Sequence, residues 1–152
     1  MKTLGKGLMM IALVAATAAC DGSPTAGSAL VAGEGIAAAK APSGTLTFAS
    51  TQSSSEQTPQ TATGGTGTIS FTGSVTTPTP CFDVSATQSG RRDTITLTVT
   101  ASPNGGFCAQ VITNNNYTGS ISGLAPGTYT FNVVHVVNGT SETAYTSTVT
   151  VQ

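Results

Sequence analysis

Few residues in this chain carry groups that could do acid, base or nucleophilic chemistry. Its 152 residues include one histidine and six aspartates and glutamates. The histidine, His135, lies in a valine-rich run, where we expect a partly buried, hydrogen-bonded ring near a strand end; a ligand or base is the alternative. Asp93 and Glu142 could pair to bind calcium or to face arginines, although turn charges are more often simply solvated. The sequence therefore predicts no catalytic residues, no metal site and no cofactor, and we expect the protein not to be an enzyme.

The composition also limits the partners and the fold. Charged residues make up 7% of the chain and the formal net charge is −1, so no basic stripe could hold nucleic acid. The chain has 18 glycines, no tryptophan and a large excess of threonine and serine. This composition favours strands and turns over helices.

The beginning of the chain has the pattern of an export signal. Two lysines precede an uncharged apolar run at 7–19, which is too short to span a membrane, so we predict a signal peptide over residues 1–19. The small residues before Cys20 resemble the lipobox of bacterial lipoproteins, although Thr17 replaces the usual aliphatic residue. That resemblance implies a lipidated Cys20 and a membrane-anchored location in the bacterial cell envelope, outside the cytoplasm. The alternative is ordinary cleavage after 16–18, which would release a secreted protein.

The cysteine count agrees with lipidation. The chain has three cysteines, and modification of Cys20 would leave Cys81 and Cys108 as an even pair. We predict that these two form a disulfide, worth about 3 to 4 kcal/mol through restriction of the unfolded chain. Two free thiols that bind a metal are the alternative, which the single histidine and the lack of a Cys-x-x-Cys motif make less favourable.

Two segments follow the predicted signal. Residues 20–66 are rich in small and polar residues, so we predict a lipid-anchored, disordered linker that cannot bury enough apolar surface to fold. Residues 45–48 alternate apolar with polar and could add an edge strand. Residues 67–152 are predicted to form one β-sandwich domain. Seven alternating runs are separated by turn-forming residues. They lie around 68–75, 82–88, 94–101, 107–113, 117–122, 128–137 and 144–151.

The segment Leu-Ala-Pro-Gly-Thr-Tyr at 124–129 resembles the corner turn of immunoglobulin-like, fibronectin type III and carboxypeptidase-regulatory-like domains. The resemblance implies an all-β, seven-stranded antiparallel immunoglobulin-like sandwich. It also implies a structural role for Tyr129, whose phenol would bond to nearby backbone. Sandwiches of this kind host unrelated functions, so the resemblance carries no activity.

A seven-stranded antiparallel layout places the two bridge cysteines at one end of the sandwich and three loops at the other. Loops of that kind serve recognition in immunoglobulin-like binders, so we predict a binding surface there. Its candidate residues are Arg91, Arg92, Asn114, Asn115, Asn116, Asn138 and Glu142.

These features favour a membrane-anchored binding or structural module, without enzymatic activity, whose partner is a protein or a glycan. The alternative function is a secreted or tethered protease inhibitor. In that case the loop at 102–106, supported by the neighbouring disulfide, would enter a protease cleft.

Overall fold

The computed structural model of the chain describes residues 42–152. Within this range the protein forms eight β-strands and no helix, and hence no helix that could span a bilayer. The strands are Thr45–Ser53 (β1), Thr61–Gly65 (β2), Thr68–Thr77 (β3), Phe82–Arg91 (β4), Thr94–Pro103 (β5), Thr113–Ser122 (β6), Gly127–Val137 (β7) and Thr140–Val151 (β8). Two four-stranded sheets, with strand orders β1-β6-β3-β2 and β4-β5-β7-β8, form a sandwich. The prediction of an all-β sandwich is confirmed.

Alternating side chains build the core between the two sheets. In β5, Ile95, Leu97 and Val99 are at most 2% exposed, while the threonines between them face outward. Phe71 of β3 stacks on Phe131 of β7 with ring centroids 5.8 Å apart, which joins the two layers. Burial of each such side chain stabilises the fold by about 1.5 to 3 kcal/mol.

Two strands lie within the range predicted as linker. β1 pairs with β6 along nine residues, and β2 pairs with β3. Leu46, Phe48 and Ala62 pack against the core, so the strand considered at 45–48 is formed and the folded domain begins before residue 67. A few apolar side chains are enough to order β1 and β2, because the backbone N–H and C=O groups of both strands bond to a neighbouring strand of the sheet. The predicted signal peptide, Cys20 and linker residues 20–41 lie outside the described residues.

The prediction of a fourth strand at 107–113 is wrong. The chain forms a loop from Asn104 to Ile112, and β6 begins at Thr113. β6 runs on through the asparagines at 114–116, which were predicted to form a turn. Strand β6 is central, with β1 on one side and β3 on the other, and this pairing overrides the turn preference of asparagine. With this strand lost and β1 and β2 added, the domain has eight strands rather than seven.

The sheets are not wholly antiparallel, contrary to the prediction. β5 and β7 are parallel neighbours, because β6 crosses to the other sheet between them. The immunoglobulin-like strand order is therefore not confirmed. Parallel pairing places the β4–β5 turn and the β7–β8 turn at opposite ends of the sandwich. We call the end with the β7–β8 turn and residues 78–81 the disulfide pole, and the end with the β4–β5 turn the opposite pole.

Two predicted turns have the expected structure. The phenol of Tyr129 donates a 2.8 Å hydrogen bond to the carbonyl of Ala125, so the predicted corner tyrosine is confirmed in its structural role. At the β7–β8 turn, Asn138 and Gly139 have φ values of 50° and 79°. Positive φ at both central residues suits a tight two-residue hairpin, and asparagine followed by glycine tolerates it best.

Candidate functional site

Cys81 and Cys108 form the predicted disulfide, with their Cα atoms 5.9 Å apart. The bridge ties the β3–β4 connection to the β5–β6 connection, as the sequence predicted, and it excludes the alternative of two metal-binding thiols. Among residues 42–152, no three histidine, cysteine, aspartate or glutamate side chains come together as metal ligands.

The β5–β6 connection, Asn104–Ile112, carries an apolar surface, and we call it the apolar loop. Its Phe107 side chain is fully exposed, Ile112 is 68% exposed and Val111 is 49% exposed. Among residues 42–152, these are the large apolar side chains that the fold leaves in water. The loop contains no charged residue. Isolated exposed apolar residues are ordinary, whereas here three lie on one short, uncharged loop.

Asn104 fixes the first residue of the apolar loop next to the bridge. Its backbone N–H donates to the Cys81 carbonyl at 3.1 Å, and its Nδ2 donates to Asp83 Oδ1 at 3.3 Å. Its Oδ1 accepts from the Gly106 N–H at 3.2 Å. The tip, Gly105 to Phe107, therefore lies between two fixed points, Asn104 and Cys108. Gly105 has a φ of 74°, which a glycine adopts without strain.

A polar cluster lies between the sheets near the disulfide pole. The Tyr117 hydroxyl donates to Gln60 Oε1 at 2.7 Å and lies 2.9 Å from His135 Nε2. Gln60 Nε2 donates to the Ser74 carbonyl at 3.1 Å, which fixes the orientation of the amide. A side chain at Gly73 would collide with Gln60 Oε1 and the Tyr117 hydroxyl, so the cluster requires glycine there.

The hydrogen bonds of the cluster assign the tautomer of His135. The single Tyr117 hydroxyl proton is used toward Gln60 Oε1, which can only accept. The 2.9 Å contact between Tyr117 and His135 therefore needs a proton on Nε2 of the imidazole. Gln60 Nε2, which is also a donor, lies 3.5 Å from the same nitrogen, at the limit of a hydrogen bond, so the shorter Tyr117 contact decides the assignment. Neutral His135 then has Nδ1 as its acceptor.

Burial keeps both rings of this pair uncharged at neutral pH. Desolvation lowers the pKa of His135 below its ordinary value of 6.5, and the negative charge of Glu142 partly opposes the shift. Desolvation raises the pKa of Tyr117 to about 12, and the hydrogen bond with Gln60 partly opposes it. The half-buried, hydrogen-bonded His135 predicted from the sequence is confirmed.

His135 also forms part of the wall of a cavity of about 300 Å³. Glu142 lies directly across from it in the β7–β8 register, so both side chains are on the same face of the sheet. A second cavity of about 390 Å³ shares two wall residues, Ser74 and Thr76, with the first. No lysine or arginine lines either cavity.

The structure separates the residues that were predicted to form one binding end. Arg91 ends β4 and Arg92 is in the β4–β5 turn, both at the opposite pole. Asn138 is in the β7–β8 turn and Glu142 follows on β8, both at the disulfide pole. The predicted surface therefore does not exist as a unit, because it assumed antiparallel β5 and β7.

The three asparagines at 114–116 lie in β6, where their side chains hydrogen-bond to β3 and to the β1–β2 connection. Asn115 is 1% exposed and donates to Thr77 Oγ1 at 3.0 Å. The side-chain oxygens of Asn114 and Asn116 accept from Gln57 Nε2 at 3.1 Å and from the Thr58 N–H at 3.0 Å. These bonds hold the β1–β2 connection over the outer face of the sheet, so all three side chains already have hydrogen-bond partners within the domain.

The apolar loop was missed because the run at 107–113 was interpreted as a buried strand. One signal could have identified it: the segment follows two glycines and does not alternate apolar with polar residues. The bridge at Cys108 ties the segment to the β3–β4 connection, and the segment forms no strand pairing.

The fold and the disulfide pole together define a small all-β sandwich domain, an architecture compatible with a binding or structural module. Residues 71–151 match the family model of the ORF11 beta-sandwich domain, and the chain belongs to this family. The match begins within β3 and ends with the last residue of β8, so β1 and β2 lie outside it. Neither a curated protein nor a solved structure matches the chain.

Proposed function

We propose that the protein is a membrane-anchored, extracytoplasmic binding module without enzymatic activity, and that it recognises a protein partner through the apolar loop. The observation that carries this proposal is the exposure of Phe107, Val111 and Ile112 on one disulfide-held loop. The lipobox-like sequence before Cys20 supports the anchor. The disulfide supports an oxidising, extracytoplasmic location.

Burial of an aromatic side chain and preorganisation of the loop both favour binding through the apolar loop. Aromatic side chains that enter a pocket of a partner supply most of the energy of many interfaces, and Phe107 is fully available for this. Asn104 and Cys108 hold the tip before binding, so little conformational entropy is lost on association. Since the loop is uncharged, we expect its affinity to depend weakly on salt.

A capture experiment in intact cells tests this proposal with the full chain as bait. The double variant Phe107→Ser/Ile112→Ser should reduce capture of the partner by at least about tenfold, in line with the loss of an aromatic anchor. Its thermal midpoint should stay unchanged, because both side chains are already exposed.

The matched control is Arg91→Ala/Arg92→Ala at the opposite pole, which should leave capture unchanged. Equal capture by wild type and the Phe107→Ser/Ile112→Ser variant would refute the apolar loop as the contact surface. Loss of capture in the arginine variant alone would place binding at the opposite pole.

A protease inhibitor is the second candidate, because the tip of the apolar loop is held on both sides. Ser102 and Pro103, once expected to be part of the inhibitory loop, belong to β5, and the tip is Gly105 to Phe107. A large aromatic side chain at such a tip suits the hydrophobic specificity pocket of a chymotrypsin-like protease. Phe107→Arg should then transfer inhibition to a trypsin-like protease. A serine protease panel without inhibition by either form would dismiss this candidate.

A further inference from the structure

We propose that the cavity beside His135 and Glu142 is a binding site for a neutral, hydroxyl-rich ligand, namely a unit of an uncharged glycan. This site is separate from the apolar loop, and its existence does not depend on whether that loop binds a protein. The proposal rests on the polar atoms in the cavity wall, on its charge and on its size.

Two hydrogen-bond acceptors come from neighbouring strands. Glu142 and His135 are directly paired across β7 and β8, on the face that looks toward the other sheet. Since Nε2 of His135 donates to Tyr117, Nδ1 of the neutral ring is left to accept from a ligand. A sugar hydroxyl can donate to either acceptor, and a hydrogen bond to the Glu142 carboxylate would be charge-assisted.

Hydroxyls and small apolar groups complete the wall. Thr140 of β8 supplies a hydroxyl group, which both donates and accepts, and Ser74 of β3 borders the cavity. The Thr76 hydroxyl is already used, since it donates to Asn114 Oδ1 and accepts from Gln57 Nε2. Val137 supplies apolar surface that suits the C–H groups of a sugar ring. A wall with a few placed polar groups beside apolar surface is the usual composition of a small-molecule site.

The charge of the wall selects against anions. No lysine or arginine lines the cavity, and Glu142 would repel a phosphate, sulfate or carboxylate group. His135 adds no positive charge at neutral pH, because burial lowers its pKa. A phosphorylated or acidic sugar would therefore bind less well than a neutral one.

The size of the site agrees with more than one sugar unit. The first cavity, of about 300 Å³, is at the small end of ligand pockets. The neighbouring cavity, of about 390 Å³, shares Ser74 and Thr76 and is lined by Gln57, Thr58 and Gln60. Two adjoining polar cavities point to a short stretch of glycan rather than to a free monosaccharide.

Nuclear magnetic resonance titration of the full chain tests the proposal. Maltotriose and N-acetylglucosamine serve as neutral probes, glucuronate as the anionic probe and n-butylamine as the cationic probe. The imidazole nitrogen resonances of His135 and the amide resonance of Thr140 should shift saturably with at least one neutral probe. Glu142→Gln should weaken that binding by about tenfold, since a charge-assisted hydrogen bond becomes a neutral one.

Asp93→Asn is the matched control, because it removes one acid from the opposite pole and should leave the affinity unchanged. Glu142 is exposed, so its replacement should leave the fold intact. Unshifted His135 and Thr140 resonances with both neutral probes would overturn the proposal. A stronger response to n-butylamine or to glucuronate would also overturn it in favour of a charged ligand. Loss of partner capture on changing Phe107 would not bear on this site.

Discussion

Removal of the disulfide should lower the free energy of unfolding by about 3.5 kcal/mol. Cys81 and Cys108 are separated by 27 positions, and the chain-entropy relation for a loop of that length gives this value at 25 °C. The change is the double variant Cys81→Ser/Cys108→Ser. Its effect should arise mainly in the unfolded state, because the folded protein still pairs Phe82 with Pro103 and bonds Asn104 to residue 81.

Urea unfolding followed by circular dichroism measures this loss, since the chain has no tryptophan for fluorescence. With a urea dependence of about 1 to 3 kcal/mol per molar for a small protein, the midpoint should fall by about 1 to 3.5 M. Wild type in reductant should behave like the variant, and the variant should not respond to reductant.

Ala109→Ser, a change at an exposed position of the apolar loop next to Cys108, is the control and should leave the midpoint unchanged. A loss below about 1 kcal/mol would refute the reasoning, because the unfolded chain would then gain little freedom when the bridge is removed. A variant that no longer folds would indicate that the bridge also organises the native pole.

Three further predictions concern the polar cluster. Tyr117→Phe leaves Gln60 Oε1 and His135 Nε2–H without their partner, so urea unfolding should show a loss of about 1 to 3 kcal/mol. Because the pKa of His135 in the folded protein lies below 6.5, the unfolded chain binds more protons in acid. The free energy of unfolding should therefore fall as the pH drops through 6.5. Urea melts at pH 7 and pH 5 measure this fall, which His135→Gln should reduce. Gly73→Ala should lower the thermal midpoint and shift the His135 ring resonances. Gly127→Ala, at an exposed glycine whose added Cβ would make only ordinary contacts, should leave those resonances unchanged.

The sequence predicted the local features that depend on neighbours in the chain. Alternation in β5 fixed which side chains face the core, since side chains on a strand point to opposite faces. The turn-forming residues at 138–140 predicted a turn between the last two strands, which the structure makes tighter than the expected loop at 138–143, and the segment before Tyr129 predicted its corner. The cysteine count predicted the bridge.

The candidate site could be predicted only in part. A half-buried, hydrogen-bonded His135 was expected, but Tyr117 and Gln60 come from distant parts of the chain and only folding brings them to it. The apolar loop was predicted as a strand, because a short apolar run has the same composition in a buried strand as in an exposed loop. β1 and β2 were assigned to a linker, because their composition is that of a linker. Their pairing with β6 and β3 appears only in the folded sheet.

The all-β class, the disulfide and the inward or outward direction of most strand residues follow from the amino-acid sequence, because each depends on composition or on near neighbours in the chain. Which turns lie at the same end of the sandwich is set only by the tertiary structure. The parallel pairing of β5 with β7 requires β6 to cross to the other sheet, and no local sequence pattern encodes that crossing. For this reason Arg91 and Glu142 lie at opposite poles, while Phe107 lies free beside the bridge.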